Sequence, residues 1–186
     1  MRVIVGISGA SGVRLGLKFL ESLPCAIEKY CVISKGAENI LRLENGVTNV
    51  ALSAELSKMQ NLKVLDDNDL GACIASGSFI CDSMAIIPCS QDTLAKIACG
   101  ISDTLLLRAA SVMIKENRKL LLAPREMPFS AIALENMLKL SRLQVVIAPP
   151  ILAYYAGENL EDVEQLLIGK WCDSLAIPYH YKRWGD

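Results

Sequence analysis

Three stretches of this chain, "MAIIP" at 84–88, "LLLAP" at 120–124 and "VVIAP" at 145–149, are apolar almost without interruption. A strand with one wet face alternates polar and apolar residues. A continuous run of strand length is what a strand shows when helices cover both faces of its sheet. Comparable runs lie at Arg2–Gly6, Lys29–Ser34 and Leu62–Leu65. Between the runs come "VRLGLKFLESL", "SQDTLAKIACGISDTLLLRAASVMIKENRK" and "SAIALENMLKLSRL", whose apolar positions fall three and four apart as on an amphipathic helix. The alternation predicts an α/β fold with a three-layer, Rossmann-like, doubly wound parallel sheet. At 186 residues, with no repeat or linker, the chain reads as a single domain, 1–186.

The first run opens "GISGASG", a turn of small residues between a strand and a helix. Such a turn aims the unpaired N–H groups of a helix start at an anion. The spacing G-x-x-G-x-x-G is neither the dinucleotide fingerprint G-x-G-x-x-G nor a P-loop, which needs Gly-Lys-Ser/Thr. Ser11 also lacks the second spaced glycine of a nucleophile elbow. The loop points to a phosphate or flavin-type ligand; the bland reading is close packing of strand on helix. Other runs end in Ser34-Lys35-Gly36, Pro88-Cys89-Ser90, Pro124-Arg125-Glu126 and Pro149-Pro150. Ligands of open α/β sheets bind beyond the carboxyl ends of the strands. The topology therefore gathers Ser8, Ser11, Ser34, Ser90, Thr93, Arg125 and Glu126 around one crevice.

A formal net charge of −1 leaves no basic surplus for nucleic acid. No apolar run reaches the length of a membrane span, and Arg14 and Lys18 interrupt the N-terminal run too early for a signal peptide. The seven cysteines are odd in number and none forms C-x-x-C. They read as reduced, buried, small hydrophobes of a cytoplasmic protein, with neither a disulfide framework nor a zinc site. Hydrophobic residues make up 52% and charged residues 21%, apolar enough that either much of the chain is core or other subunits cover part of the surface, and both are expected.

The motifs "GISGASG", "ISKGA", "ASGSF", "PCSQDTLAKIACGISDTLLLRAASVMIKENRKLLLAPREMPFS", "LENMLKLS" and "YY" ahead of a terminal "KRWG" stand in this order along essentially the whole chain. In that order the chain resembles the UbiX-like flavin prenyltransferases. The resemblance implies a flavoprotein that joins a dimethylallyl group, taken from dimethylallyl phosphate, to reduced FMN. It implies a homo-oligomer, a dodecamer, and a UbiD-like decarboxylase of ubiquinone or aromatic acid metabolism that receives the prenylated FMN. It assigns FMN to Gly9, Ala10, Ser11, Ser34, Ser90, Gln91, Asp92, Thr93 and Arg125. The prenyl phosphate falls to Lys115, Arg125, Tyr155 and Lys170. Glu126 is the implied acid–base group, with Ser11, Glu44 and Lys115 as further catalytic positions and Arg108 and Trp184 as further site positions. Some of these residues reach the site from a neighbouring subunit, and the C-terminal segment, about 157–186, is expected to pack on one. Two departures stand out: Lys170 occupies a position where arginine is common, losing the two-pronged fork, and Tyr154 is a substituted position beside the retained Tyr155.

The chemistry suits those residue types. Dimethylallyl phosphate ionises toward an allylic cation and phosphate, so fixed cations must meet the phosphate and water must be kept from the cation. Aromatic faces stabilise the positive charge. "DDND" at 66–69 is similar to the acidic metal motifs of diphosphate prenyltransferases, but Leu70 stands where the last aspartate belongs. It reads as a polar loop, and no metal is expected. Without the resemblance, Lys115 in "IKENRK" is an ordinary solvated helix end and Glu44 an exposed glutamate. Arg125–Glu126 has the bland reading of a surface ion pair, but its place directly after the buried run "LLLAP" marks a ligand-facing strand end and ranks it above Lys115. The alternative function is an FMN-dependent decarboxylase of the cysteine decarboxylase type. Those enzymes rely on an active-site histidine, whereas His180, the single histidine here, lies in the C-terminal tail.

Overall fold

The computed structural model describes residues 1–185. Six parallel strands form one sheet: β1 (Arg2–Ile7), β2 (Glu28–Ile33), β3 (Leu62–Leu65), β4 (Ser83–Cys89), β5 (Lys119–Pro124) and β6 (Val146–Ile147), in the order β3-β2-β1-β4-β5-β6. β1 pairs with β2 on one side and β4 on the other, so the chain switches direction across the sheet at β1. Of the expected sixth strand only Val146–Ile147 is laddered; Pro149 and Pro150 follow at once and cannot donate to a neighbour.

Seven α-helices connect the strands: α1 (Val13–Ser22), α2 (Lys35–Asn45), α3 (Asn49–Leu56), α4 (Gln91–Ala98), α5 (Leu105–Lys115), α6 (Ala131–Ser141) and α7 (Leu160–Leu175). The long helical pattern at 90–119 is split into α4 and α5. Gly100 turns into the left-handed region after α4, and Thr104 accepts from the Leu107 N–H to start α5.

Alternation along each strand builds two cores. Val3, Val5, Ile7 and Cys31 face Leu17, Phe19, Leu20, Trp171 and Leu175 of α1 and α7. Ile4, Val32, Met84 and Ile86 face Leu94, Leu105, Leu106 and Met113 of α4 and α5. The cysteine expectation holds for Cys31, Cys81, Cys89 and Cys172 but not for Cys25, Cys73 and Cys99, which are exposed. Those three sit in connections and at a helix end, where no sheet or helix layer covers them. Burial raises all four interior thiols, Cys81 to about 11 and Cys31 and Cys172 to about 12.

At the amino edge of the sheet, Glu28 ties three strands together. It accepts from the Tyr30 hydroxyl, from Arg2 Nε at 2.8 Å and from Lys63 Nζ at 2.9 Å. Those donors, Tyr30 first, draw its carboxyl down to about 2. The carboxyl edge is left for a ligand. Among the described residues no helix is long and apolar enough to cross a membrane.

Candidate functional site

Three of the helices that start at the carboxyl edge of the sheet, α2, α4 and α5, begin beside one another, each with a hydroxyl cap. Ser34 accepts from the Ala37 N–H, Ser90 from Thr93 and Thr104 from Leu107. The caps line one pocket of about 340 Å³ together with Gly9, Lys35, Gly36, Asp67, Asp92, Thr93 and Lys96. The pocket's three helix starts are not equivalent. The first N–H groups of α5 are taken by Asp67, whose carbonyl accepts from Leu105 at 2.8 Å and whose carboxylate accepts from Leu106 at 2.9 Å. Among the described residues no carboxylate accepts from the leading N–H groups of α2 or α4, and the first residues of both helices line the pocket, Asp92 among them. This is a cradle for a phosphate.

Several features fit a flavin mononucleotide there. A Cβ on Gly9 would stand 2.9 Å from the Cα of Gly36, so Gly9 is needed for the loop to lie against the start of α2, and a Cβ on Gly36 would be tight at 3.3 Å from Gly9. Ser90 donates to the Thr93 hydroxyl at 2.9 Å, leaving the Thr93 proton for a further acceptor. The side-chain amide nitrogen of Gln91 is buried without a partner, an open donor at the head of α4. Ala10 lies half-buried in the loop, its N–H bound to the Ser8 carbonyl at 2.9 Å. Ser8 itself is a correction to the expected crevice. Its hydroxyl is buried, donates to the Pro88 carbonyl at 3.0 Å and accepts from the Ser90 N–H at 2.8 Å. It fastens β1 to β4 beneath the loop and has no surface to offer a ligand.

On the other side of the glycine loop a cleft of about 380 Å³ runs between α1, α7 and the ends of β4 and β5. Ser11, Gly12, Glu44 and Arg125 form its polar rim, and Leu15, Ile87, Leu167 and Trp171 its apolar wall. Glu44 reaches back from α2 to accept from the Gly12 N–H at 3.2 Å. A carboxylate thus closes the loop's own donor at the start of α1. Arg125 is exposed, with its main-chain N–H bound to the Cys89 carbonyl at 3.2 Å. It also borders a third, adjoining cleft of about 670 Å³ with Glu126, Met127, Phe129, Leu152 and Tyr154. Glu126 is exposed and accepts from the Met127 N–H at 3.2 Å.

The remaining expected residues lie elsewhere in the chain. Lys115 ends α5 beside the first residues of β5, at the opposite edge of the sheet, and is paired with Glu116. Arg108 donates from Nε to the Ala75 carbonyl at 3.0 Å. Tyr155 turns to Trp184, ring centres 5.0 Å apart, while its neighbour Tyr154 takes the cleft. Lys170 is exposed on α7 and lines none of the three clefts, nor does His180, exposed on the tail. The chain therefore assembles Gly9, Ser11, Ser34, Glu44, the Ser90–Thr93 turn, Arg125 and Glu126, and leaves Lys115, Arg108, Tyr155, Lys170 and Trp184 apart.

Asp67 and Thr104, which shape the phosphate pocket, are absent from the sequence expectations. Thr104 carried the signal: a hydroxyl residue directly before a helical apolar run. Among the described residues no group of three or more His, Cys, Asp and Glu side chains is arranged to hold a metal.

The family model Flavoprotein matches residues 1–169. Over 191 residues the chain is 48% identical to the flavin prenyltransferase UbiX of Helicobacter pylori strain 26695, spanning 100% of this chain and 99% of that one. Its fold superposes with a TM-score of 0.91 on a dodecameric FMN-dependent UbiX-like decarboxylase from Escherichia coli O157:H7, 39% identical over the full length of both chains. The same score is reached with AnUbiX (PadA1) in complex with FMN and dimethylallyl pyrophosphate, 37% identical over 100% of this chain and 97% of that one.

Proposed function

We infer the function from one premise: this chain belongs to the flavoprotein family and, within it, to the flavin prenyltransferases. It transfers a dimethylallyl group from dimethylallyl phosphate to reduced FMN. The observation that carries this reading is the phosphate cradle at the starts of α2 and α4, separated only by the glycine loop from a cleft with an apolar wall and Arg125 on its rim. Reduced FMN supplies, when bound, the electron-rich ring that accepts the allylic carbon.

The chain's own residues do the rest. Gly9, Ser34, Ser90, Gln91, Asp92 and Thr93 hold the phosphate end of the flavin through main-chain N–H groups, hydroxyls and the Gln91 amide, and Ala10, its own N–H turned to Ser8, shapes the loop against it. Glu44 fixes the loop at Gly12 and so aims Ser11 into the cleft. Arg125 meets the departing phosphate together with Lys115, Tyr155 and Lys170, which lie apart from it within one chain and come to it where neighbouring copies meet, with Arg108 a further position of that shared site. Fixed cations of this kind neutralise the leaving group without a metal. Glu126 moves the proton between phosphate and adduct. Leu15, Ile87, Leu167 and Trp171 keep water from the allylic cation.

The separation of Lys115 from Arg125 within a protomer favours a site completed by oligomerisation, a homododecamer in our reading. Exposed apolar residues around the third cleft and on α6, among them Met127, Ile132, Leu138 and Ile151, supply surface for that contact. The single domain keeps the inner face of α7 in its own core, and the outer face of the 157–186 segment meets the neighbour. The prenylated FMN serves a UbiD-like decarboxylase in the cytoplasm, a compartment that suits seven free cysteines. The test is the mass of the flavin after anaerobic incubation with reduced FMN and dimethylallyl phosphate. A gain of one dimethylallyl group is the expected result; an unchanged flavin mass overturns the reading.

A further inference from the structure

The C-terminal tail folds back along α7 and is fastened to one carboxylate. Asp173 receives a fork from Arg183, NH1 on Oδ2 and NH2 on Oδ1, each at 2.8 Å. The Tyr181 hydroxyl donates to the same Oδ2. Arg183 also lies over the Tyr181 ring, 4.4 Å from its centre. The ring in turn rests on Gly169, where any Cβ would come within 2.2 Å of it. Helix, tyrosine and arginine thus form one built clamp, and the clamp carries Trp184 to Tyr155.

Lys170 lies three residues before Asp173 on α7. That spacing places two side chains side by side on a helix, where a lysine and an aspartate ordinarily pair. Here they do not: Lys170 makes no ion pair among the described residues, Arg183 holds both oxygens of Asp173, and the Lys170 ammonium acts on that carboxylate only at longer range. The fork sits on the helix neighbour most able to capture Lys170.

We propose that Arg183 is a positioning residue that engages Asp173 so that the Lys170 ammonium stays free for the phosphoryl group of the prenyl donor. The proposal rests on the prenyl-transfer reading given above. It makes a signed claim that a purely structural strap does not. Removing the Arg183 charge leaves Asp173 to capture Lys170, and removing the Asp173 charge as well sets Lys170 free again.

The experiment compares Arg183→Gln, Arg183→Gln/Asp173→Asn and Arg183→Lys with the native protein, following KM for dimethylallyl phosphate and kcat under anaerobic conditions with reduced FMN. FMN binding serves as the control for folding. Arg183→Gln is expected to raise KM about tenfold with kcat changed by less than about threefold, and the double variant to return KM to within about threefold of native. Arg183→Lys, which keeps the compensating charge without the fork, is expected to stay near native KM. A double variant no better than Arg183→Gln, or Arg183→Lys as impaired as Arg183→Gln, overturns the proposal. Failure of the native protein to alter the flavin's mass removes the prenyl-transfer reading instead.

Discussion

Gly9 and Gly36 meet backbone to backbone: a Cβ added to Gly9 would stand 2.9 Å from both the Cα and the carbonyl carbon of Gly36. Neither of these atoms belongs to a flexible side chain, so relief requires moving the loop off the start of α2. That start offers its leading N–H groups to the phosphate pocket. Gly9→Ala is therefore expected to weaken FMN binding by at least about tenfold, the loss of roughly one charge-assisted hydrogen bond. Equilibrium dialysis with FMN measures it, and unchanged affinity would show that the loop accommodates the methyl group.

Asp67 caps α5 from a loop that, in sequence, looks like an acidic metal motif. Losing the cap by Asp67→Ala is expected to cost about 0.5–2 kcal/mol of stability, and Asp67→Asn, which keeps an acceptor at the same place, clearly less. Denaturant titrations of the two variants separate these outcomes. Equal losses would mean that the negative charge at the helix start, and not the hydrogen bond, is what stabilises α5.

The Glu28 cluster gives a pH dependence of known sign. Its carboxyl sits at about 2 in the folded chain against an ordinary 4.5. The folded state therefore holds the ionised form more tightly than the unfolded chain does. The resulting stabilisation is complete above the ordinary value and fades as pH falls toward about 2. Glu28→Gln should be less stable than the native protein at neutral pH, with the gap closing through that acid window. A gap that is constant down to pH 2 would assign the effect to packing and not to charge.

The sheet was readable because burial on both faces leaves an unbroken apolar run, and four of the runs end where the site begins. The caps at Ser34 and Ser90 were readable for a similar reason, since a hydroxyl residue before a helical pattern has one common use. Glu44 was not. It stands 32 residues from the Gly12 N–H it binds, and only the packing of α2 beside the loop brings them together. Nor does "IKENRK" reveal which edge of the sheet it reaches: α5 begins beside the crevice at Asp67 and runs away from it, carrying Lys115 to the far side. Adjacent Tyr154 and Tyr155 look interchangeable in sequence, yet an irregular segment turns one to the cleft and the other to Trp184.

Glu126 stands immediately after β5, beside Arg125 and open to the third cleft, which adjoins at Arg125 the cleft with the Ser11 rim. Among the described residues it accepts only from the neighbouring Met127 N–H at 3.2 Å, a weak local contact that leaves the second carboxylate oxygen for substrate. Glu126→Gln keeps the size and the acceptor but cannot carry a proton. General acid–base groups contribute about 10²–10⁴-fold, so turnover is expected to fall within that range while FMN affinity stays near native. The assay follows the prenylated flavin mass over time, anaerobically, with a chelator present. Native turnover that persists in chelator supports neutralisation of the phosphate by Arg125 and its companion cations, and turnover abolished by chelator assigns that task to a metal. A Glu126→Gln variant as fast as the native protein would move the proton to another carboxylate, and Glu44, already at the rim of the adjoining cleft, is the one to substitute next.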